Sequence, residues 1–270
     1  MAVTQMPGEG AVGVFDSGIG GLTVLAELLR RLPGESFVYF GDTARVPYGT
    51  KSTETVLRFS RENVTFLLDQ SVKFIVVACN TASASAVPRL QREFRIPILG
   101  VIEPGARAAV GVSKSKKIGV IGTAGTIRSG AYQRAIQELA PSAEVHTRAC
   151  PLFVPFVEEG WVDKEATQMV ANEYLSDLKE KNIDTLVLGC THYPLLRGVI
   201  GRAMGEGVTL VDSAVQTAIE VGRALDERGL RNGHCEDDFA VYLSDFAPDF
   251  KKVAERILGR PIPEVRFRSV

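Results

Sequence analysis

The chain has 270 residues, 45% of them hydrophobic and 23% charged, enough for one large domain or two of moderate size with complete cores. Thirty-one basic residues against 32 acidic ones leave a net charge of −1, so composition gives no pull toward nucleic acid. The longest apolar runs, such as 74–78, are far too short to span a membrane. The opening MAVTQMPGEG lacks both the basic start and the apolar core of a secretion signal, and a cytoplasmic protein is expected.

In chain order, β-type runs are expected at 11–15, 37–40, 74–78 and 97–101, then at 117–121, 143–148, 185–188 and 208–211. Helical periodicity falls between them at 21–32, 52–69, 82–94, 126–139, 163–181 and 214–228. A late strand at 239–243 and a helix at 248–258 follow, and residues 1–9 are expected to be loose. Continuous β-branched runs alternating with amphipathic helices predict an α/β fold with mostly parallel sheets flanked by helices.

The chain looks like one device written twice. GVFDSGIGG (13–21) and GVIGTAGTI (119–127) are each a strand followed by a Gly/Ser/Thr turn into a helix. VVACNTAS and VLGCTHYP each run from a strand into a cysteine with a hydroxyl residue close behind. Ser17 precedes Cys79 by nearly the span that separates Thr123 from Cys190, which supports two similar α/β units. The break is expected near EPG at 103–105, giving a first domain of 1–103 with 215–270 and a second of 104–214. Polar clusters close the strands at Asp16-Ser17, Gly41-Asp42, Cys79-Asn80-Thr81, Thr123 and Cys190-Thr191-His192. Ligands of open α/β sheets bind at such strand ends, so a shared cleft is predicted, with helix starts suited to a small carboxylate.

Cys79, Cys150, Cys190 and Cys235 form no CxxC pair, and in a reducing compartment they are expected as free thiols. Cys150 and Cys235 read as buried small hydrophobes. The DSGIGGL turn lacks the third glycine of a dinucleotide fingerprint, because that position is Thr23. Its glycines read instead as a tight turn allowing close approach of backbone to substrate. Cys79 stands where a strand meets a helix start, a setting expected to lower a thiol pKa. Asp16 is either a proton acceptor and orienting group or the cap of the following helix. His192 is either the activating partner of Cys190 or a solvent-facing loop histidine. Pro194 reads as an early helix position. Trp161 and Tyr174 read as packing residues, and Glu158 and Glu159 as exposed in an irregular stretch, 150–162.

With YFGDTARVPYG (39–49) and GCTHYPLL added, the chain resembles the glutamate branch of the cofactor-independent aspartate/glutamate racemase superfamily over nearly its whole length. One departure is Val46, where many members carry cysteine. The resemblance implies two pseudosymmetric domains with the active site in the cleft between them. It implies interconversion of L- and D-glutamate by two-base proton transfer, with neither pyridoxal phosphate nor metal, supplying D-glutamate for bacterial peptidoglycan. It assigns deprotonation of D-glutamate to Cys79 and of L-glutamate to Cys190, with Asp16 assisting the first, His192 the second, and Glu158 on the second side. Substrate contacts are implied at Asp16, Ser17, Tyr48, Gly49, Asn80, Thr81, Thr123, Thr191 and His192, with Asp42 behind them. A homodimer is common in the family. The competing readings are a racemase for aspartate, a cysteine hydrolase built on Cys190 and His192, and an amino-acid-binding protein.

Overall fold

The computed structural model describes residues 10–232, 239–247 and 250–268. The N-terminal nine residues, His234, Cys235 and Pro248 lie outside the described residues.

The first sheet is built from β1 (Ala11–Asp16), β2 (Phe37–Gly41), β3 (Val72–Val77), β4 (Ile98–Gly100), β9 (Phe239–Leu243) and β10 (Val265–Phe267). Its order is β10-β9-β2-β1-β3-β4, and every pairing is parallel. The second sheet holds β5 (Lys117–Gly122), β6 (Glu144–Ala149), β7 (Thr185–Gly189) and β8 (Thr209–Val211) in the parallel order β6-β5-β7-β8. The late strand therefore rejoins the first sheet beside β2, after the chain has completed the second.

Alternation along β1 places Val12 and Val14 on one face and Phe15 on the other, and a separate core forms on each side. Helices α1 (Leu22–Arg31), α11 (Ala214–Glu227) and α12 (Phe250–Leu258) cover the first face. The second is covered by α2 (Thr53–Asp69), α3 (Asn80–Ser85) and α4 (Val87–Glu93). The second sheet repeats the plan. Ile118, Val120 and Val187 pack on α5 (Ile102–Val112) and α7 (Ala131–Leu139), the latter preceded by α6 (Ala124–Ser129). On its other face, Ile121, Leu186 and Leu188 pack on α8 (Phe153–Glu158), α9 (Glu165–Glu180) and α10 (Arg197–Met204). Among the described residues, no helix is long and apolar enough to cross a membrane.

Several expectations need correction. EPG at 103–105 lies in the first turns of α5, where Pro104 forfeits no intrahelical hydrogen bond. The helix expected over 82–94 divides at Ala86, and that over 126–139 divides at Gly130, which is left-handed at φ 65°. The stretch 150–162 contains α8, with Pro155 inside its first turn. Pro194, expected at an early helix position, stands in the short helical turn Tyr193–Leu196 that leads into α10, whereas the edge strand β10 was not anticipated.

At the amino ends of the first sheet's strands, Lys73 Nζ lies 2.7 Å from Glu35 Oε2, both side chains almost fully buried. Asn232 closes this cluster, donating its N–H to Glu35 at 2.8 Å and accepting from Lys73 at 2.6 Å. The carboxyl ends of the strands carry the polar clusters.

Candidate active site

Cys79 follows β3 and forms the N-cap of α3, its sulfur accepting from the Ala82 N–H at 3.5 Å. Cys190 follows β7, the matching central strand of the other sheet. Both thiols line one narrow cavity, together with Ser17, Tyr48, Gly49, Asn80, Thr81, Thr123, Thr191 and His192. Its volume is about 20 Å³, room for about one water. A larger, more open cavity of about 230 Å³ between α4 and α7 holds neither cysteine, so size alone does not mark the chemistry.

The two halves meet through hydroxyls. Thr81 Oγ1 lies 2.9 Å from Thr123 Oγ1 and 3.2 Å from Thr126 Oγ1, while Thr123 caps α6 through the Thr126 N–H. On the other side of the cavity, Thr191 donates to Asp16 Oδ1 at 3.3 Å. Two glycines permit these approaches. A Cβ on Gly20 would stand 2.4 Å from Thr191 Oγ1, and one on Gly49 would stand 2.5 Å from Thr123 Cβ. The close approach made by the Gly20 turn is thus to the opposing half, where the sequence suggested substrate.

Asp16 is fully buried and lies behind the cavity wall. Its Oδ2 accepts from the Gly18 N–H at 3.1 Å, and the N-cap position of α1 is held by Gly21 with no side-chain cap, so the capping role is not realised. Burial pushes its carboxyl above the ordinary value, opposed by His192 and the Gly21 and Gly18 N–H groups. His192 is buried too, which removes the solvent-facing alternative. Its Nδ1 lies 3.9 Å from Cys190 Sγ, and its Nε2 lies 3.3 Å from Glu158 Oε1, a charge contact without hydrogen-bond alignment. Burial alone would push the ring down, but the Cys190 and Glu158 contacts and the Asp16 charge outweigh it and raise the pKa to about 10. Glu158 itself is part-exposed at the end of α8 and lines a neighbouring open cavity with Gly18, Val46 and Phe246.

The expected lowering at Cys79 is not found. Burial pushes its thiol up to about 12, reinforced by the Asp16 charge, with the Ala82 N–H and the Ser17 contact at 3.7 Å acting against it. The helix it caps has only six residues, too short for its dipole to outweigh desolvation.

Further residues complete the site, of which Val154, Asn63 and Ser244 had no sequence signal of their own. Val46, Pro47 and Val154 line the cavity. The Tyr48 hydroxyl donates to Asp42 and accepts from Asn63 Nδ2 at 3.0 Å, while Ser244, just beyond β9, donates to Asp42 at 2.9 Å. Cys150 is buried as expected; Trp161 stacks on Phe156, and Tyr174 meets Phe153 edge to face, as packing residues do. Among the described residues, no group of three or more His, Cys, Asp or Glu side chains is arranged to hold a metal.

Residues 17–220 match the Asp/Glu/hydantoin racemase family. A glutamate racemase of Geobacter metallireducens is 55% identical over 258 residues, covering 94% of this chain and 95% of that protein. The crystal structure of a glutamate racemase isoform from Bacillus anthracis superposes with a TM-score of 0.90 at 43% identity, covering 97% of this chain and 98% of that one. A glutamate racemase from Francisella tularensis, solved in complex with D-glutamate, gives a TM-score of 0.90 at 40% identity, with 96% and 97% covered. With the family matched over most of its length and close relatives matched over nearly all of it, the chain belongs to the Asp/Glu/hydantoin racemases, in their glutamate racemase branch.

Proposed function

We propose that the protein interconverts L- and D-glutamate by moving the Cα proton between two cysteine thiols, with no pyridoxal phosphate or metal. The observation that carries this reading is that Cys79 and Cys190 come from different sheets yet line one narrow cavity. One sulfur, as thiolate, takes the Cα proton and becomes S–H. The opposing S–H gives its proton to the other face of Cα and becomes thiolate. The proton count is unchanged and the two sulfurs exchange states. Asp16 lies in the field of Cys79, and His192 faces Cys190, so each thiol has a titratable neighbour to move its proton. Glu158 orients the His192 ring. Substrate carboxylates are received by Ser17, Asn80, Thr81, Thr123, Thr191 and the backbone around Tyr48 and Gly49. Donors fixed before the reaction stabilise the developing carbanion, and the narrow cavity keeps bulk water away from it.

In the same reading, residues 1–103 with 215–270 form one domain and 104–214 the other, and the protein works in the cytoplasm as a homodimer. Its product serves peptidoglycan synthesis. Glutamate is larger than the cavity, so its entry requires the halves to part, and added glutamate should change hydrogen-exchange protection at residues 43–50 and 123–130. Light scattering on the purified protein tests the dimer, and rescue of a D-glutamate-requiring bacterium tests the biological role.

The decisive experiment incubates the protein with L- and then D-glutamate in D₂O with a chelator and no added cofactor. Loss of the Cα–H signal coupled to inversion from both sides is the expected result. A folded protein that leaves both enantiomers protonated would overturn the reading.

A further inference from the structure

Tyr132 sits on α7 and is almost fully buried, and it is absent from the cavity wall. Its hydroxyl nevertheless donates to Asn80 Oδ1 at 2.7 Å, a bond from a second-sheet helix to the residue after Cys79. Its ring lies against the turn that carries the other thiol, since a Cβ on Gly189 would stand 3.1 Å from Tyr132 Cε2. Gly105, inside α5, backs the hydroxyl from a third direction: a Cβ there would stand 3.0 Å from Tyr132 Oη and 3.2 Å from Ser213 Cβ. Ser213 hydrogen-bonds the phenol from the residue preceding α11, and burial raises the phenol's pKa well above its ordinary value, so it stays a donor.

We infer that Tyr132 is a positioning residue for the reaction, acting through Asn80. An amide whose oxygen is held by a buried phenol has its NH₂ end committed to the other direction. Asn80 is a wall residue of the cavity, so this fixes a donor rather than an acceptor toward a bound carboxylate. A freely rotating amide would present oxygen to the same carboxylate part of the time, which is repulsive. The same side chain touches the Asn80 and Gly189 turns, so it also sets how the two thiol-bearing turns stand relative to each other. Because the contact joins an element of each half, the donor is correctly aimed only when the halves are together. A tyrosine kept solely for packing would leave the Asn80 amide without consequence for turnover. This inference rests on the racemase reading above.

The test is a double-mutant cycle with Tyr132→Phe, Asn80→Ala and the pair, measured as kcat and KM for glutamate in both directions, beside melting temperatures. The phenylalanine variant keeps the ring packing against Gly189 and removes only the hydroxyl. Tyr132→Phe should lower kcat/KM by about tenfold, as expected for one buried hydrogen bond that aims a substrate contact. In the Asn80→Ala background the same substitution should have almost no effect, because the group it acts through is gone. Nitrogen-15 NMR of the wild type and Tyr132→Phe should show the Asn80 side-chain amide signals shifted and exchanging faster with water in the variant. Additive losses, an unchanged kcat/KM in Tyr132→Phe, or unmoved amide signals would each overturn the positioning role. A folded wild type that fails to racemise glutamate would overturn the functional reading and this inference with it; an active wild type with additive losses overturns the inference alone.

Discussion

A buried thiol is a poor base until something offsets the cost of its charge. At Cys79 the surroundings do the reverse, since burial and the Asp16 charge both favour the protonated form. The resting state is therefore S–H at Cys79, while the His192 ring, which faces Cys190, is cationic at neutral pH. Replacing either Cys79 or Cys190 with serine should lower racemisation by about a thousandfold or more while circular dichroism and melting temperature stay near wild type. Full activity in both single variants would end the two-thiol account. The histidine gives a second prediction through linkage. Its pKa is about 10 when folded against 6.5 as a model group, so the folded protein binds that proton more tightly. The stability it contributes is complete below pH 6.5 and is lost as pH rises through about 10. His192→Asn should accordingly melt below the wild type at pH 6 and converge with it by about pH 10. A gap that widened with rising pH would contradict the assignment.

At the scale of elements, the site is made of turns held apart by almost nothing. The short turn Tyr48–Thr50 abuts Thr123 so closely at Gly49 that Gly49→Ala must displace either that turn or the cap of α6. Activity should fall at least tenfold in that variant, with only about 1–3 kcal/mol of stability lost, read by chiral analysis and urea unfolding. Retention of full activity would mean that the two turns can separate freely. The strands and the long helices were legible in the sequence because burial on both faces writes a continuous apolar run and one-sided burial writes a helical stripe. Cys79, Cys190 and their hydroxyl neighbours were legible because the two halves repeat them. What the sequence concealed was cross-half contact. Nothing local in AYQRAIQEL marks Tyr132 as the partner of Asn80, and nothing near Ser244 points to Asp42. The failed prediction at Cys79 has the same origin: the helix start was visible, but the depth of burial and the Asp16 charge were not. The breaks at Ala86 and Gly130 were missed because the apolar stripe continues across them, although Pro88 at the start of α4 and the left-handed Gly130 mark them in the sequence.

Across the whole molecule, chemistry and stability occupy opposite ends of the strands. The buried Lys73–Glu35 pair lies at the end away from the thiols. Removing one member strands the other's charge, so Glu35→Gln should cost about 3–5 kcal/mol. Replacing both with Met and Leu should recover much of that loss, and kcat of the folded fraction should be unchanged in each case. A Glu35→Gln protein with wild-type stability would contradict the stabilising role of the pair, and one with impaired kcat would show that the two ends are coupled. The pairing of β9 with β2 bears on how the protein is made. Phe37 stands opposite Phe239, so one edge of β2 keeps unpaired N–H and C=O groups until almost the entire polypeptide has left the ribosome. By then the whole of the second sheet has emerged and is free to fold. The nascent chain thus carries a hydrophobic, hydrogen-bonding edge through most of its synthesis, and that edge is where a chaperone would bind or where two unfinished chains would stick together.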